Sequence, residues 1–190
     1  MKILAISAGT TRLLVLARAP FRGVQSAIQK QVVSSIDAPE PIELNPLGLA
    51  RDEQTDLSVH GGLDKALYAF PSEHWPVWNT VKEQPLRPGL FGENLLTEGL
   101  TEDSVFVGDQ WRIGEALLQV TEPRIPCDKF CAVMGSSEAA KKMVNTGTCG
   151  WYLRVLKAAP LTAGMTIEII PGAQEVSVAS AFDFRTRRQR

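Results

Sequence analysis

Histidine and cysteine are both scarce in this chain of 190 residues, which holds two of the first and three of the second. Structural zinc asks for four closed ligands arranged as two closely spaced pairs. Cys127 and Cys131 make one such pair and nothing supplies the other, which argues against a zinc centre. The opening MKILAISAG has neither the charged start, the long apolar stretch nor the cleavage site of a secretory signal. With an odd number of cysteines, the expectation is a cytoplasmic, reduced protein. Nowhere do about 18 apolar residues run uninterrupted, so no membrane-spanning helix is expected. Lys plus Arg number 20 against 21 Asp plus Glu, so no broad field draws in a nucleic-acid polymer or an anionic membrane. Any anion site must be local. Phosphate-loop and dinucleotide glycine signatures are missing, as is the GxSxG elbow of serine hydrolases.

What the chain does have is short apolar runs separated by turn residues: Lys2 to Ile6, Leu13 to Ala17, Ala27 to Val33, Ala66 to Phe70, Val105 to Ile113, Ala116 to Val120 and Met165 to Ile170. Lengths near six and enrichment in Val, Ile and Leu favour strands. The run SVFVGDQWRIGEALLQV reads as three strands joined by Gly-Asp and Gly-Glu turns. Helical patterns are fewer: Ser72 to Val81, Ser136 to Asn145, and Cys149 to Lys157, the last apolar on one side. Many short strands without amphipathic crossovers must hide their edges, so a mainly β, closed or nearly closed barrel with a few peripheral helices is expected. One domain over 1–178 is expected, followed by a basic tail, 179–190, that frays.

Chemistry gathers in four stretches. Cys127, in QVTEPRIPCDKF, follows two prolines and is flanked by Arg124 and Lys129. A thiol near cations ionises more readily, and only the thiolate is a nucleophile or metal ligand; the alternative is a small buried hydrophobe. In SVHGGLDKALYAFPSEHW, His60 precedes a Gly-Gly pair that lets backbone N–H groups approach an anion, and Lys65 supplies a charge. The alternative there is a hairpin turn with a satisfied histidine. In GLFGENLLTEGL, Asn94 carries donors and acceptors suited to a heterocycle edge, or simply occupies a turn. NTGTCG is a polar, glycine-rich loop whose expected helix start would offer N–H groups to a phosphate.

Taken together, MKILAIS, SAIQKQVV, GLARDEQTDLSVHGG, VHGGLDKALYAFPSEHW, LFGENLLTEGLTEDSVFVGDQWRIGEALLQVTEPRIPCDKF and NTGTCGW resemble the MOSC family, the molybdenum cofactor sulfurase C-terminal domain, in its YiiM-type stand-alone bacterial form. The resemblance runs over about residues 1 to 178. It implies a MOSC-like β-barrel and a molybdenum cofactor (molybdopterin) whose metal is ligated by Cys127. It also implies reduction of N-hydroxylated compounds, such as hydroxylaminopurine base analogues, with electrons from a flavoprotein partner. Within that picture His60, Lys65, Asn94, Arg124 and Lys129 are the candidate cofactor contacts. A carrier of the cofactor, or of persulfide sulfur on Cys127, is the alternative the resemblance leaves open. Two departures stand out: Asp128 follows Cys127 where relatives more often have an aromatic or apolar residue, and the family's usual C-terminal three-helix segment is not in the sequence.

Overall fold

The computed structural model describes residues 1–16, 23–55, 61–80 and 85–187. Twelve strands are described: β1 (Lys2–Ala8), β2 (Arg12–Val15), β3 (Gly23–Ser26), β4 (Gln31–Ser35), β5 (Leu44–Asn45), β6 (Gly48–Leu49), β7 (Leu67–Pro71), β8 (Leu95–Glu98), β9 (Gln110–Ile113), β10 (Ala116–Pro123), β11 (Trp151–Lys157) and β12 (Glu168–Ile170). The α-helices are α1 (Trp75–Trp78), α2 (Asp128–Met134), α3 (Ala139–Thr146) and α4 (Val178–Arg187). Among the described residues no helix is long and apolar enough to cross a membrane.

Eight strands form one sheet in the order β12-β9-β10-β11-β7-β8-β1-β4, antiparallel except for the β7–β8 pair. Alternation builds it: in β10, Ala116, Leu118 and Val120 are buried while Leu117 and Gln119 are partly exposed, the period of two that a half-buried strand requires. The sheet curls back on itself through the segment entering β12. Ile3 N donates to Met165 O at 3.1 Å, Gly164 N to Ile3 O at 2.8 Å and Ile167 N to Met1 O at 3.0 Å. These bonds satisfy backbone groups that an open edge would leave bare. The barrel holds Trp111 and Trp151, edge to face at 5.7 Å, while Phe70 and Phe91 stack at 4.2 Å beside Trp78 and Phe130. The fold is therefore mainly β with peripheral helices, as the apolar runs imply.

Several local expectations are corrected. Trp151–Lys157 is strand β11, not part of a helix: Trp151 and Leu153 are buried and Tyr152 is not fully so, and pairing with β10 and β7 decides the conformation. The NTGTCG loop accordingly leads into a strand and offers no helix start. β8 forms from residues read as part of an irregular glycine-rich stretch. Of the helix expected over Ser72 to Val81, the described residues form a 3₁₀ turn, Ser72–His74, and the short α1. The helix expected from Ser136 begins at Ala139. Within Ala27 to Val33 strand begins only at Gln31, and in place of the meander's first strand residues 105–109 have only an isolated bridge, Phe106 to Ser177, and a turn at 107–108.

The expected fray at 179–190 gives way to α4 as far as Arg187; residues 188–190 lie outside the described residues. Val178, Phe182 and Thr186, spaced by four, are buried along one face of α4, and that stripe is what orders it. Arg185 pairs with Glu122 of β10.

Candidate functional site

A cleft with about 650 Å³ of empty space, its open mouth included, is lined by the loop after β3, residues 52–55, Lys65, Tyr68, Phe91, Gly92, Asn94, Arg124, Cys127, Lys129 and Tyr152. Five of the six expected site residues line it: Lys65, Asn94, Arg124, Cys127 and Lys129. His60 lies outside the described residues.

Cys127 is carried to the cleft by the extended exit of β10 and caps the start of α2 with φ −142° and ψ 171°. Its side chain is half-buried, and none of the three cysteines forms a disulfide. Asp128, the departure noted above, is exposed on the first turn of α2 and is not among the cleft-lining residues. Cys149 is different, being fully buried, with its thiol pushed well above the ordinary range by burial and by nearby Glu102. Sequence singles out Cys127 by its neighbours; the fold adds that Cys149 is sealed.

Arg124 is 3% exposed, a rare position for a cation. Its guanidinium carbon lies 4.4 Å from the centre of the Phe130 ring and 5.8 Å from that of Tyr68, and Nη1 reaches Met143 Sδ at 3.5 Å. No carboxylate pairs with it among the described residues. Burial works against its charge, while Tyr68, Cys127 and Tyr152 favour it once they ionise, and its pKa lies above the ordinary value. A buried cation without an acid partner is costly unless an anion arrives.

Lys65 reaches the cleft from a short turn, Leu63–Lys65, with Nζ 3.4 Å from Glu122 Oε1 and 5.6 Å from the centre of the Tyr152 ring. Gln54 secures that turn, accepting from Gly62 N at 2.9 Å. Lys129 is half-buried on the first turn of α2.

Asn94 turns out to be a bracket. Its Oδ1 accepts from Tyr68 N at 3.0 Å, and Nδ2 donates to Ser7 O at 3.2 Å and to Asp52 Oδ2 at 2.8 Å. Both amide protons are thereby used, and the side chain ties β7, β1 and the 52–55 segment into one floor.

That floor contains groups the sequence reading passed over. Lys30 donates to both carboxylate oxygens of Asp52, and Asp52 Oδ1 also accepts from Gly9 N at 2.7 Å. Both side chains are nearly sealed, at 8% and 5% exposure. Burial lowers the Lys30 pKa, and Asp52 opposes that shift. Behind them Glu93 is fully buried, accepting from Gly89 N at 2.6 Å and Phe91 N at 2.9 Å. Burial raises its pKa to about 7 despite those bonds. Gly92, at φ 85°, lies in the same turn, where a Cβ would meet the Ile28 side chain at 2.8 Å. A lysine inside the apolar run SAIQKQVV was the one available signal for the pair; Tyr68 and Tyr152 gave no functional signal, and Tyr152 was read as part of a helix.

Fold and site thus define a β-barrel with a ligand cleft in its flank, a thiol at one end and a buried cation beside it. The MOSC domain model matches residues 56–168, more than half of the chain, and the protein belongs to that family. Protein YiiM of Escherichia coli (strain K12) is 40% identical over 154 residues, covering 78% of this chain and 68% of that one. Protein YflK of Bacillus subtilis (strain 168) is 42% identical over 131 residues, 68% of this chain and 59% of that one. A protein named Reductase from Gibberella moniliformis is 34% identical over 153 residues, 77% of this chain but 26% of its own length. The crystal structure of YiiM from Geobacillus stearothermophilus superposes with TM-score 0.78 at 30% identity, covering 99% of this chain and 85% of that one. Within the family the chain is of the YiiM type. It spans less than two thirds of the length of two of these curated relatives.

Proposed function

We propose that this protein is an oxidoreductase that binds the molybdenum cofactor (molybdopterin) in the cleft and reduces N-hydroxylated compounds. The observation that carries the reading is the pairing, in one cleft, of half-buried Cys127 with buried Arg124, which has no acid partner among the described residues. The donor set fits such a group: a soft thiolate suits a metal already bound by sulfur, and a buried guanidinium suits an anionic cofactor. Cys127 would ligate the metal, and Arg124, with Lys65 and Lys129 nearer the mouth, would hold anionic oxygens. His60 remains a candidate contact. The likeness to a protein named Reductase supports the redox class.

The overall change is R–NH–OH plus two electrons and two protons giving R–NH₂ and water. When bound, the cofactor supplies the two-electron chemistry, and the protein supplies binding, orientation and electrostatics. Arg124 keeps its charge in a low-dielectric setting, so it neutralises an anion there more strongly than it would in water. Phe91, Tyr68 and Tyr152 give the cleft flat walls that suit a planar heterocycle such as a hydroxylaminopurine. The electrons come from a flavoprotein partner, and the setting is cytoplasmic.

Metal analysis of protein made in a host competent for cofactor synthesis, beside one deficient in it, tests the reading. Expected is molybdenum in the first only, its loss in Cys127→Ala, and reduction of N-hydroxylated bases with an artificial reductant. A Cys127→Ala protein with full metal and activity overturns it. Protein without metal or turnover, but with about 32 Da added on Cys127, points to a sulfur carrier.

A further inference from the structure

In β11 the buried neighbours Trp151 and Leu153 face the barrel, so alternation turns Tyr152 the other way, into the cleft. Its cross-strand partner is Tyr68, with ring centres 5.5 Å apart and planes tilted by 45°. The two phenols are not equivalent. Tyr68 is buried, and its hydroxyl donates to Cys149 O at 2.7 Å. Among the described residues the Tyr152 hydroxyl has no hydrogen-bond partner, although the ring is half-buried. Lys65 sits against that ring, and Arg124 and Cys127 both lie near enough to bias its ionisation. Burial outweighs the pull of Arg124 and pushes its pKa up to about 12. Any phenol keeps its proton at neutral pH and is a donor.

The division of labour follows from charge. Arg124, permanently charged and deeper, suits an anion; a neutral donor nearer solvent suits a neutral oxygen. An N-hydroxylated base and its amine product differ by one such oxygen. A site that reserves a donor for a hydroxyl binds poorly the analogue that lacks it, because the donor is then left unpaired.

We propose that Tyr152 is the specificity residue of the cleft: its hydroxyl donates a hydrogen bond to the oxygen of a substrate's N–OH group, and the deoxygenated amine, lacking that oxygen, is released. This rests on the reading of the cleft as a site for N-hydroxylated substrates. It assigns to Tyr152 recognition of substrate, not retention of cofactor.

Tyr152→Phe removes one oxygen atom and keeps the ring. The experiment measures equilibrium binding of an N-hydroxylated purine base and of the corresponding aminopurine to cofactor-loaded protein without reductant, for both proteins, with metal content determined on the same samples. Expected is about tenfold or greater weakening for the N-hydroxylated base, unchanged affinity for the amine, and unchanged molybdenum. Equal weakening of both ligands overturns the proposal, since Tyr152 would then be a wall of the cleft. Loss of molybdenum overturns it too, since Tyr152 would then be a cofactor contact. Failure of the broader reading shows separately, as wild-type protein that binds neither base or carries no metal in a competent host.

Discussion

The guanidinium carbon of Arg124 lies over the ring of Phe130, 4.4 Å from its centre, so that an aromatic face stands where a buried arginine ordinarily has a carboxylate. A cation–π contact of this kind offsets part of the desolvation, on the order of 2 kcal/mol when water is excluded. The anionic cofactor proposed for the cleft would relieve the rest of the cost.

That arrangement predicts opposite effects of Arg124→Met on stability and binding. Without ligand, the variant is expected to be at least as stable in urea as wild type, because an unpaired buried charge is removed. Its retention of the proposed anionic cofactor is expected to fall by about tenfold or more. Urea midpoints and metal content check the two halves; a stability loss above about 2 kcal/mol would mean that Arg124 is chiefly a packing residue.

Asp52 and Lys30 should respond unequally to removal. Asp52→Ala strands a lysine ammonium at 6% residue exposure and also deprives Gly9 and Asn94 of an acceptor, so a loss of about 3–5 kcal/mol is expected. Lys30→Met leaves Asp52 with the Gly9 N–H and the Asn94 amide, and the expected loss is smaller. Chemical unfolding of both variants gives the order, and the reverse order would contradict this account of the floor.

Glu93 sets a pH dependence. In the unfolded chain its carboxyl titrates near 4.5, in the folded protein near 7. Between those values the folded state holds a proton that the unfolded state has lost. Stability attributable to this group therefore falls as pH rises from about 4.5 to about 7 and is flat beyond, by an amount on the order of 3 kcal/mol. Urea midpoints at pH 5 and pH 7.5 should show the decline, and Glu93→Gln should abolish its share. The Gln variant also loses one acceptor for the Gly89 or Phe91 N–H, which lowers stability at both pH values alike.

Thiol modification should separate the cysteines. Iodoacetamide is expected to label half-buried Cys127 and Cys131 in the folded protein and to spare fully buried Cys149, whose thiol is held protonated, until urea unfolds the chain. Peptide mass mapping over time reads this directly. Bound molybdenum cofactor should protect Cys127 but not Cys131.

The C-terminal helix should prove part of the fold. Phe182 is 2% exposed, and Phe182→Ala is expected to cost about 3–5 kcal/mol, whereas Phe184→Ala, at a residue 59% exposed, should cost under about 0.5 kcal/mol. Thermal unfolding compares the two.

Legibility in the sequence tracked the range of the interactions involved. β10 was readable because the run Ala116 to Val120 is short, aliphatic and entered by a Gly-Glu turn, and the structure buries alternate residues along it. β11 was misread because Trp-Tyr-Leu-Arg-Val-Leu-Lys is apolar on one side of a helix as well as on one face of a strand, and only pairing with β10 and β7 decides. α4 was missed because its stripe Val178, Phe182, Thr186 includes a threonine whose hydroxyl is satisfied by Phe182 O at 2.9 Å, so it reads as polar yet is buried. Cys127, Arg124, Lys65, Asn94 and Lys129 were singled out by local motif and do share one cleft, although Asn94 acts there as a bracket.

Family, mainly β class and the presence of a thiol flanked by cations follow from residues adjacent in the chain, where spacing alone carries the information. The sealed Lys30–Asp52 pair, the Asn94 link to Asp52 and the Tyr152 hydroxyl facing the cleft join positions 22, 42 and more residues apart. Closure of the barrel brings those positions together. Burial then sets their chemistry: the same types of side chain are ordinary surface groups in water, and become a lowered ammonium, a carboxyl titrating near 7 and an unpartnered donor once the sheet has excluded the solvent around them.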